Sequence, residues 1–302
     1  MINRWWIYQR ERFPIFKHGL LIVVFSFSSV CYSALLRGHD SLPSASGVVV
    51  AFVTVFIFFL LLRIADEFKD YDDDLRYRPY RAVPRGIVTL RELAVVAAIG
   101  AIIQLGLSFW LETKMLLLLV AVWAYLALMY KEFFVGEWLK SRPLIYMVSH
   151  MAIMPLIVFY AAACDWFVDD APTIPYRIGW FLAVSFFSGA VIEIGRKIRA
   201  PEDEEEGVDT YSRVWGRSAA AVSWSIVLGL SGAFACLAAR EIEFLIPVAA
   251  VSALLFVWSA LTAYRFVRTP GRALAGHIEN TSGLWVLAMY VILGIVPMML
   301  RA

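Results

Sequence analysis

The sequence predicts an all-α membrane protein, with nine transmembrane helices in a single domain over residues 1–302. Three observations predict it. Hydrophobic residues make up 61% of the chain and charged residues only 17%, where a soluble domain carries about 25% charged residues. Nine apolar runs recur along the chain, and none shows the period-2 alternation of a barrel strand. Lys and Arg gather on alternate connections between those runs, the bias that orients helices in a bilayer.

Residues 1–17 read as an interfacial N-terminal segment, with Trp5, Trp6 and Tyr8 beside Arg4 and Arg10. They lack the basic start and short apolar core of a cleaved signal peptide. The apolar runs are 18–36, 47–62, 93–111, 115–130, 143–163, 178–192, 218–239, 244–264 and 281–300. Most approach the ~20 residues that carry a helix across about 30 Å of hydrocarbon. Runs 47–62, 115–130 and 178–192 are shorter and pass directly into polar sequence, as helices that continue beyond the bilayer or into a wet cavity do. Glu279 and Asn280 read as the start of the ninth helix, and residues 165–175 as a polar external loop. Cys31, Cys164 and Cys236 are widely spaced, with no C-x-x-C pair, and read as small buried apolar residues. No glycine-rich phosphate loop, H-E-x-x-H or nucleophile elbow is present.

Of the 27 Lys and Arg residues, 22 fall on one side of this topology, which makes that side cytoplasmic. The chain is thus expected as a multi-pass protein of a bacterial-type inner membrane. Its N-terminus and the mouth of its site face the cytoplasm, and its C-terminus lies on the opposite side.

The stretch after run 47–62 carries Asp66, Glu67, Asp70, Asp72, Asp73 and Asp74, six carboxylates in nine residues. One carboxylate at the bilayer centre costs roughly 2.5–3.5 kcal/mol on insertion scales, so such a cluster belongs at the interface or around a cation. On a helix Glu67, Asp70 and Asp74 share one face, and Asp66, Asp70 and Asp73 share an overlapping one. Carboxylate oxygens without nitrogen or sulfur ligands suit a hard cation, Mg²⁺ in particular, which binds through a few carboxylates plus substrate phosphates. Arg76, Arg78, Arg81 and Arg85 follow on a turn-rich segment and suit an anionic phosphate. A solvated acidic helix end beside orienting arginines is the plainer alternative, and it gives the carboxylates no purpose. A second acidic segment, residues 202–206, follows run 178–192, and the two are expected to face one site. His150 is an ionisable group well inside an apolar run, hence a candidate to orient an acceptor or take a proton, or else a helix-packing histidine. Glu193 reads as an ion-pair partner of Arg196 and Lys197. Tyr130 and Lys131 read as cavity-rim residues.

Asp66-Glu67-x-x-Asp70-x-x-x-Asp74 resembles the first aspartate-rich motif of the UbiA superfamily of intramembrane prenyltransferases, N-D-x-x-D-x-x-x-D. Arg81-Ala-Val-Pro84-Arg-Gly86 looks like that family's R-P-L-x-x-G. Asp203-Glu-Glu-Glu-Gly207-Val-Asp-Thr210, with Gly216-Arg217 after it, is similar to the family's D-x-x-x-G-x-x-T…G. The first motif departs by Asp66 for Asn and Glu67 for Asp. The second departs more, because Arg196 and Arg199, with Lys197 between them, stand where the family has earlier aspartates. Either the 202–206 carboxylates hold the metal, or these cations grip diphosphate directly.

The resemblance implies a UbiA-like bundle of nine transmembrane helices around a central cavity. It also implies Mg²⁺-dependent transfer of an isoprenyl group from an isoprenyl diphosphate to a lipophilic, preferentially aromatic acceptor. The expected metal ligands are Asp66, Glu67, Asp70, Asp74 and Asp203. The expected diphosphate ligands are Arg81, Arg85, Lys131, Arg196, Lys197 and Arg199. Asp70, Asp74 and His150 are the expected catalytic groups. Phe58, Phe59, Phe159, Tyr160, Phe186 and Phe187 are aromatics that could face an allylic cation, though most are expected to pack. A terpene cyclase using the same ionisation is the alternative enzyme. A divalent-cation transporter is the alternative of another class, and it is disfavoured because no acidic residue lies mid-span.

Overall fold

The computed structural model describes residues 2–168 and 173–302, so part of the expected 165–175 loop lies outside the described residues. The chain is helical throughout. A short helix α1 (Ile2–Arg12) precedes α2 (Ile15–Leu36) and α3 (Ala45–Lys69). Then come α4 (Tyr71–Tyr77), α5 (Leu90–Leu111), α6 (Met115–Tyr130), α7 (Gly136–Lys140), α8 (Pro143–Met151) and α9 (Ile153–Trp166). The second half holds α10 (Gly179–Arg196), α11 (Tyr211–Val214), α12 (Arg217–Glu241), α13 (Leu245–Arg268), α14 (Arg272–Tyr290) and α15 (Val296–Arg301).

Local sequence explains most of the boundaries. Ser44 caps α3 by accepting from the Gly47 amide at 3.1 Å. Thr89 and Glu92 form a capping box at the start of α5, and Pro143 opens α8 at a position where no amide is needed. Ala152 separates α8 from α9 three residues before Pro155, whose missing N–H breaks the helical ladder. Between α14 and α15 the chain widens into a π-helical turn, Val291–Ile295. Ser28 donates to the Tyr290 carbonyl there at 2.7 Å, satisfying an acceptor that the widened turn frees. Gly294 lies so close to α2 that a β-carbon would sit 2.5 Å from the Ser28 carbonyl oxygen.

Among the described residues, seven helical segments are long and apolar enough to cross a membrane: His18–Leu36, Ala45–Lys69, Leu90–Leu111, Pro143–Trp166, Arg217–Glu241, Leu245–Arg268 and Arg272–Arg301. Helix α6 is equally apolar but has 16 residues, and the 18-residue α10 carries Glu193 and Arg196 in its last turn. The last segment begins at Arg272, ahead of the expected start near residue 280, because His277, Glu279 and Asn280 interrupt the apolar run without interrupting the helix.

Helices α2, α3, α9, α10, α12 and α14 pack against one another around a shared core, with α5, α6 and α13 applied to its outside. Exposed Ile102, Phe109, Leu117, Leu254 and Trp258 mark that outer, lipid-facing surface.

Candidate active site

Helix α3 ends at Lys69, and Asp70 is its C-cap before α4 begins at Tyr71. This break turns the expected carboxylate stripe into three environments. Glu67, 2% exposed, pairs with Arg12 of α1. Asp74, also 2% exposed, lies 2.7 Å from the Arg78 guanidinium and accepts from Arg81 at 2.8 and 3.0 Å. Asp66 and Asp70 remain. They stand one turn apart; among the described residues Asp66 has one long contact, to Arg63 at 3.5 Å, and Asp70 has no ion pair. Burial pushes the Asp70 carboxyl above its ordinary pKa, and the negative charges of Asp66 and Asp74 push the same way against Lys69 and Arg78.

The end of α10 carries cations of its own. Glu193, 8% exposed, is held by Arg196 at 2.5 Å and Lys197 at 2.8 Å, the ion pair expected from the sequence. Arg196 lies within electrostatic reach of Arg63 and Asp66 on α3. Helix α8 closes a third side. Lys69 donates from Nζ to the Tyr146 hydroxyl at 2.8 Å, and the Tyr146 ring stacks on His150 with centroids 3.9 Å apart and planes 10° from parallel. A cleft beside them is lined by Asp66, Lys69 and His150 together with apolar side chains of α3 and α6.

The second acidic segment lies against the first but does not open toward it. Asp203 is bound to Arg272 at 2.6 Å. Glu204 accepts from Thr210 at 2.6 Å and Ser212 at 2.7 Å, and Glu205 accepts from the Tyr80 hydroxyl at 2.7 Å. Gly207, at φ +72°, lies flat on the Tyr77 ring, where a β-carbon would come within 2.4 Å of a ring atom.

Of the expected residues, Asp66 and His150 line one cleft, Asp70 stands one turn from Asp66, and Arg196 and Lys197 pair with Glu193 at the end of α10, with Arg196 within electrostatic reach of Asp66. It gives Glu67, Asp74, Arg81 and Asp203 the protein partners just described. Arg85 pairs with Glu11 at 2.6 Å. Lys131 lies over the Tyr130 ring at the surface, and Arg199 is exposed. Sequence reasoning did not single out Arg12, Arg63, Lys69 or Tyr146. Lys69 was visible as the sole cation inside the acidic stretch, and Tyr146 as the residue one turn before His150. Phe58 and Tyr160 are wholly buried and meet edge to face at 5.4 Å, and Phe187 stacks on Phe234 at 5.3 Å, so these rings pack.

Among the described residues, no three His, Cys, Asp or Glu side chains stand close enough to enclose a metal ion. Mg²⁺ does not require such a cage. It binds through one or two carboxylates and completes its shell with water and substrate phosphate. Asp66 and Asp70, free oxygens on one helical edge, fit that requirement.

The fold has solved counterparts. A UbiA homolog from Aeropyrum pernix K1, in its apo form, superposes with TM-score 0.68 at 18% identity, covering 91% of this chain and 95% of that one. A digeranylgeranylglyceryl phosphate synthase structure superposes with TM-score 0.61 at 17% identity over 98% of both chains. A UbiA homolog from Archaeoglobus fulgidus bound to DMAPP and Mg²⁺ gives TM-score 0.56 at 13% identity, covering 96% of this chain and 99% of that one. No curated protein matches in sequence. The UbiA prenyltransferase family model matches residues 22–276, which contain both acidic segments and every helix from α3 to α13, and the chain belongs to that family.

Proposed function

We propose that this protein transfers an isoprenyl group from an isoprenyl diphosphate to a lipophilic acceptor inside the membrane, with Mg²⁺ as cofactor. The observation that supports this reading is the cluster of Asp66, Lys69 and His150 on one cleft, with Asp70 one turn on and the Arg196–Lys197–Glu193 group within electrostatic reach of Asp66. Carboxylates and cations gathered at one end of a bundle suit a ligand that is itself a metal-bound anion. The DMAPP and Mg²⁺ of the Archaeoglobus fulgidus homolog support it.

In this reading Asp66 and Asp70 hold Mg²⁺, which when bound draws charge off the departing diphosphate. Arg196 and Lys197 neutralise the remaining phosphate oxygens, with Glu193 fixing both cations in place. Lys69 does the same from the α3 side while Tyr146 holds its ammonium in position. Asp74 is not a ligand here but the anchor that sets Arg78 and Arg81. The two shorter helices α6 and α10 complete nine spans, and the site opens toward the cytoplasm.

A direct experiment incubates purified protein and Mg²⁺ with geranyl, farnesyl and geranylgeranyl diphosphates, with and without phenolic or alcohol acceptors. Diphosphate release that grows with acceptor, and a prenylated product, are expected. Release with a cyclic hydrocarbon and no acceptor would replace transfer by cyclisation. No release with any of the three would overturn the proposal.

A further inference from the structure

Lys69 pairs against the expectation of its own helix. It follows Asp66 by three positions on α3 and directly precedes Asp70. Side chains three apart on a helix are neighbours, so the default partner of Lys69 is Asp66. Arg63, three positions before Asp66, does reach that carboxylate at 3.5 Å. Lys69 lies within electrostatic reach of both Asp66 and Asp70. Among the described residues, however, it forms an ion pair with neither. Its ammonium donates instead to the Tyr146 hydroxyl at 2.8 Å and lies 5.5 Å from the centre of the Tyr146 ring. A neutral hydroxyl holds the ammonium in place of two carboxylates.

That outcome depends on how firmly Tyr146 is held. Its ring stacks on His150, and the His150 ring is pinned in turn. His150 Nδ1 lies 2.9 Å from the Tyr146 carbonyl oxygen, which only accepts, so Nδ1 donates. The Phe133 ring meets His150 edge to face at 6.0 Å, and Tyr125 meets Phe133 at 5.6 Å. Phe133 gets there from a rare backbone. Glu132, Phe133 and Phe134 have φ of +46°, +54° and +60°. In this left-handed region a β-carbon crowds the following carbonyl oxygen. Three such residues in succession persist only where the surrounding contacts over-determine them. The turn and the stack form one brace: Phe133 on His150 on Tyr146.

We propose that Tyr146, braced by His150 and Phe133, is a positioning residue that withholds Lys69 from Asp66 and so keeps that carboxylate open for Mg²⁺. Without the hydroxyl, Lys69 turns back to Asp66, and a metal ion has to displace its ammonium to bind. In this role Tyr146 touches neither metal nor phosphate, and His150 is part of the brace rather than a base.

This inference rests on Asp66 as a Mg²⁺ ligand in the transfer reading above, and its test keeps the two apart. Binding of geranyl thiolodiphosphate, whose C–S bond resists cleavage, is followed on the full chain as Mg²⁺ is raised. The analogue is held at its own Kd for each variant, and no turnover is needed. Tyr146→Phe keeps the ring and removes the hydroxyl. Its Mg²⁺ midpoint is expected to rise roughly tenfold, within the range of couplings between neighbouring charges. Tyr146→Phe combined with Lys69→Met has no ammonium to turn back, and its midpoint is expected to return to the wild-type value or below. Lys69→Met alone, with Tyr146 intact, is expected to stay at or below wild type. Phe133→Ala, which alters neither Lys69 nor Asp66, is expected to raise the midpoint about two- to threefold as the brace loosens. An unmoved midpoint in Tyr146→Phe, an equal rise in the double variant, a rise in Lys69→Met, or an unmoved midpoint in Phe133→Ala overturns the inference. A wild-type chain that binds the analogue equally with and without Mg²⁺ overturns the metal site itself, before any variant is made.

Discussion

The two acidic segments, one after α3 and one after α10, have similar composition and opposite fates. In the second, Asp203, Glu204 and Glu205 each have a close protein partner, as does Glu193 at the end of α10 before it. In the first, Glu67 and Asp74 are likewise taken, but Asp66 and Asp70 are left with oxygen to offer. The lesson is that a carboxylate's value as a ligand depends on what the fold has already placed beside it. Six of these eight acidic side chains can be structural while the pattern still reads as a metal motif. The second segment contributes its cations instead: Arg196 and Lys197 face the site, and Glu193 steadies them.

The sharpest way to break this contrast is to remove a partner from a taken carboxylate. Arg12→Ala leaves Glu67 buried and uncompensated, which costs about 3–5 kcal/mol for a buried pair, read as a large drop in melting temperature in detergent. Glu67→Gln in the same background should restore most of it. Next comes Asp70→Asn, which removes an open ligand. Turnover should fall on the order of 10²–10³-fold, as when one preorganised electrostatic group is lost, while the melting curve stays at wild type. Equal turnover in that variant would place the metal elsewhere. Lys197→Gln should act more weakly, raising KM for the isoprenyl diphosphate roughly tenfold, a typical loss for one charge-assisted contact. Asp203→Asn should act least, with turnover changed by less than about threefold, because an exposed ion pair contributes little. If Asp203→Asn matched Asp70→Asn, the two segments would share the metal after all. Chelation completes the comparison. With Asp66 and Asp70 as its protein ligands, Mg²⁺ should raise the melting temperature when diphosphate is present and leave it unmoved alone.

Much of this was legible from residues. Composition and charge bias gave the helical membrane class, and the spacing of Asp66, Asp70 and Asp74 drew attention to the end of α3. The Glu193 pair was readable because Arg196 and Lys197 sit three and four positions away, within one helical turn. What stayed hidden was long-range. Arg12 and Glu67 are 55 positions apart, and Tyr80 and Glu205 are 125 apart. No local pattern announces such pairs. The break at Asp70 was also hidden, because Lys69 through Asp74 contains neither Gly nor Pro. A continuous helix there would have kept Glu67, Asp70 and Asp74 on one face. Instead α3 ends at Lys69 with Asp70 as its cap, and Asp74, in α4, meets Arg78 and Arg81. The start of the last helix was missed for a different reason: His277, Glu279 and Asn280 look like an interruption of hydrophobicity, and helices tolerate polar turns where their ends meet water.

The contact of Gly207 with the Tyr77 ring joins loops from opposite halves of the sequence like tongue and slot. A side chain at position 207 would have to displace the Tyr77 ring, and with it the end of α4, from the far side of the gene.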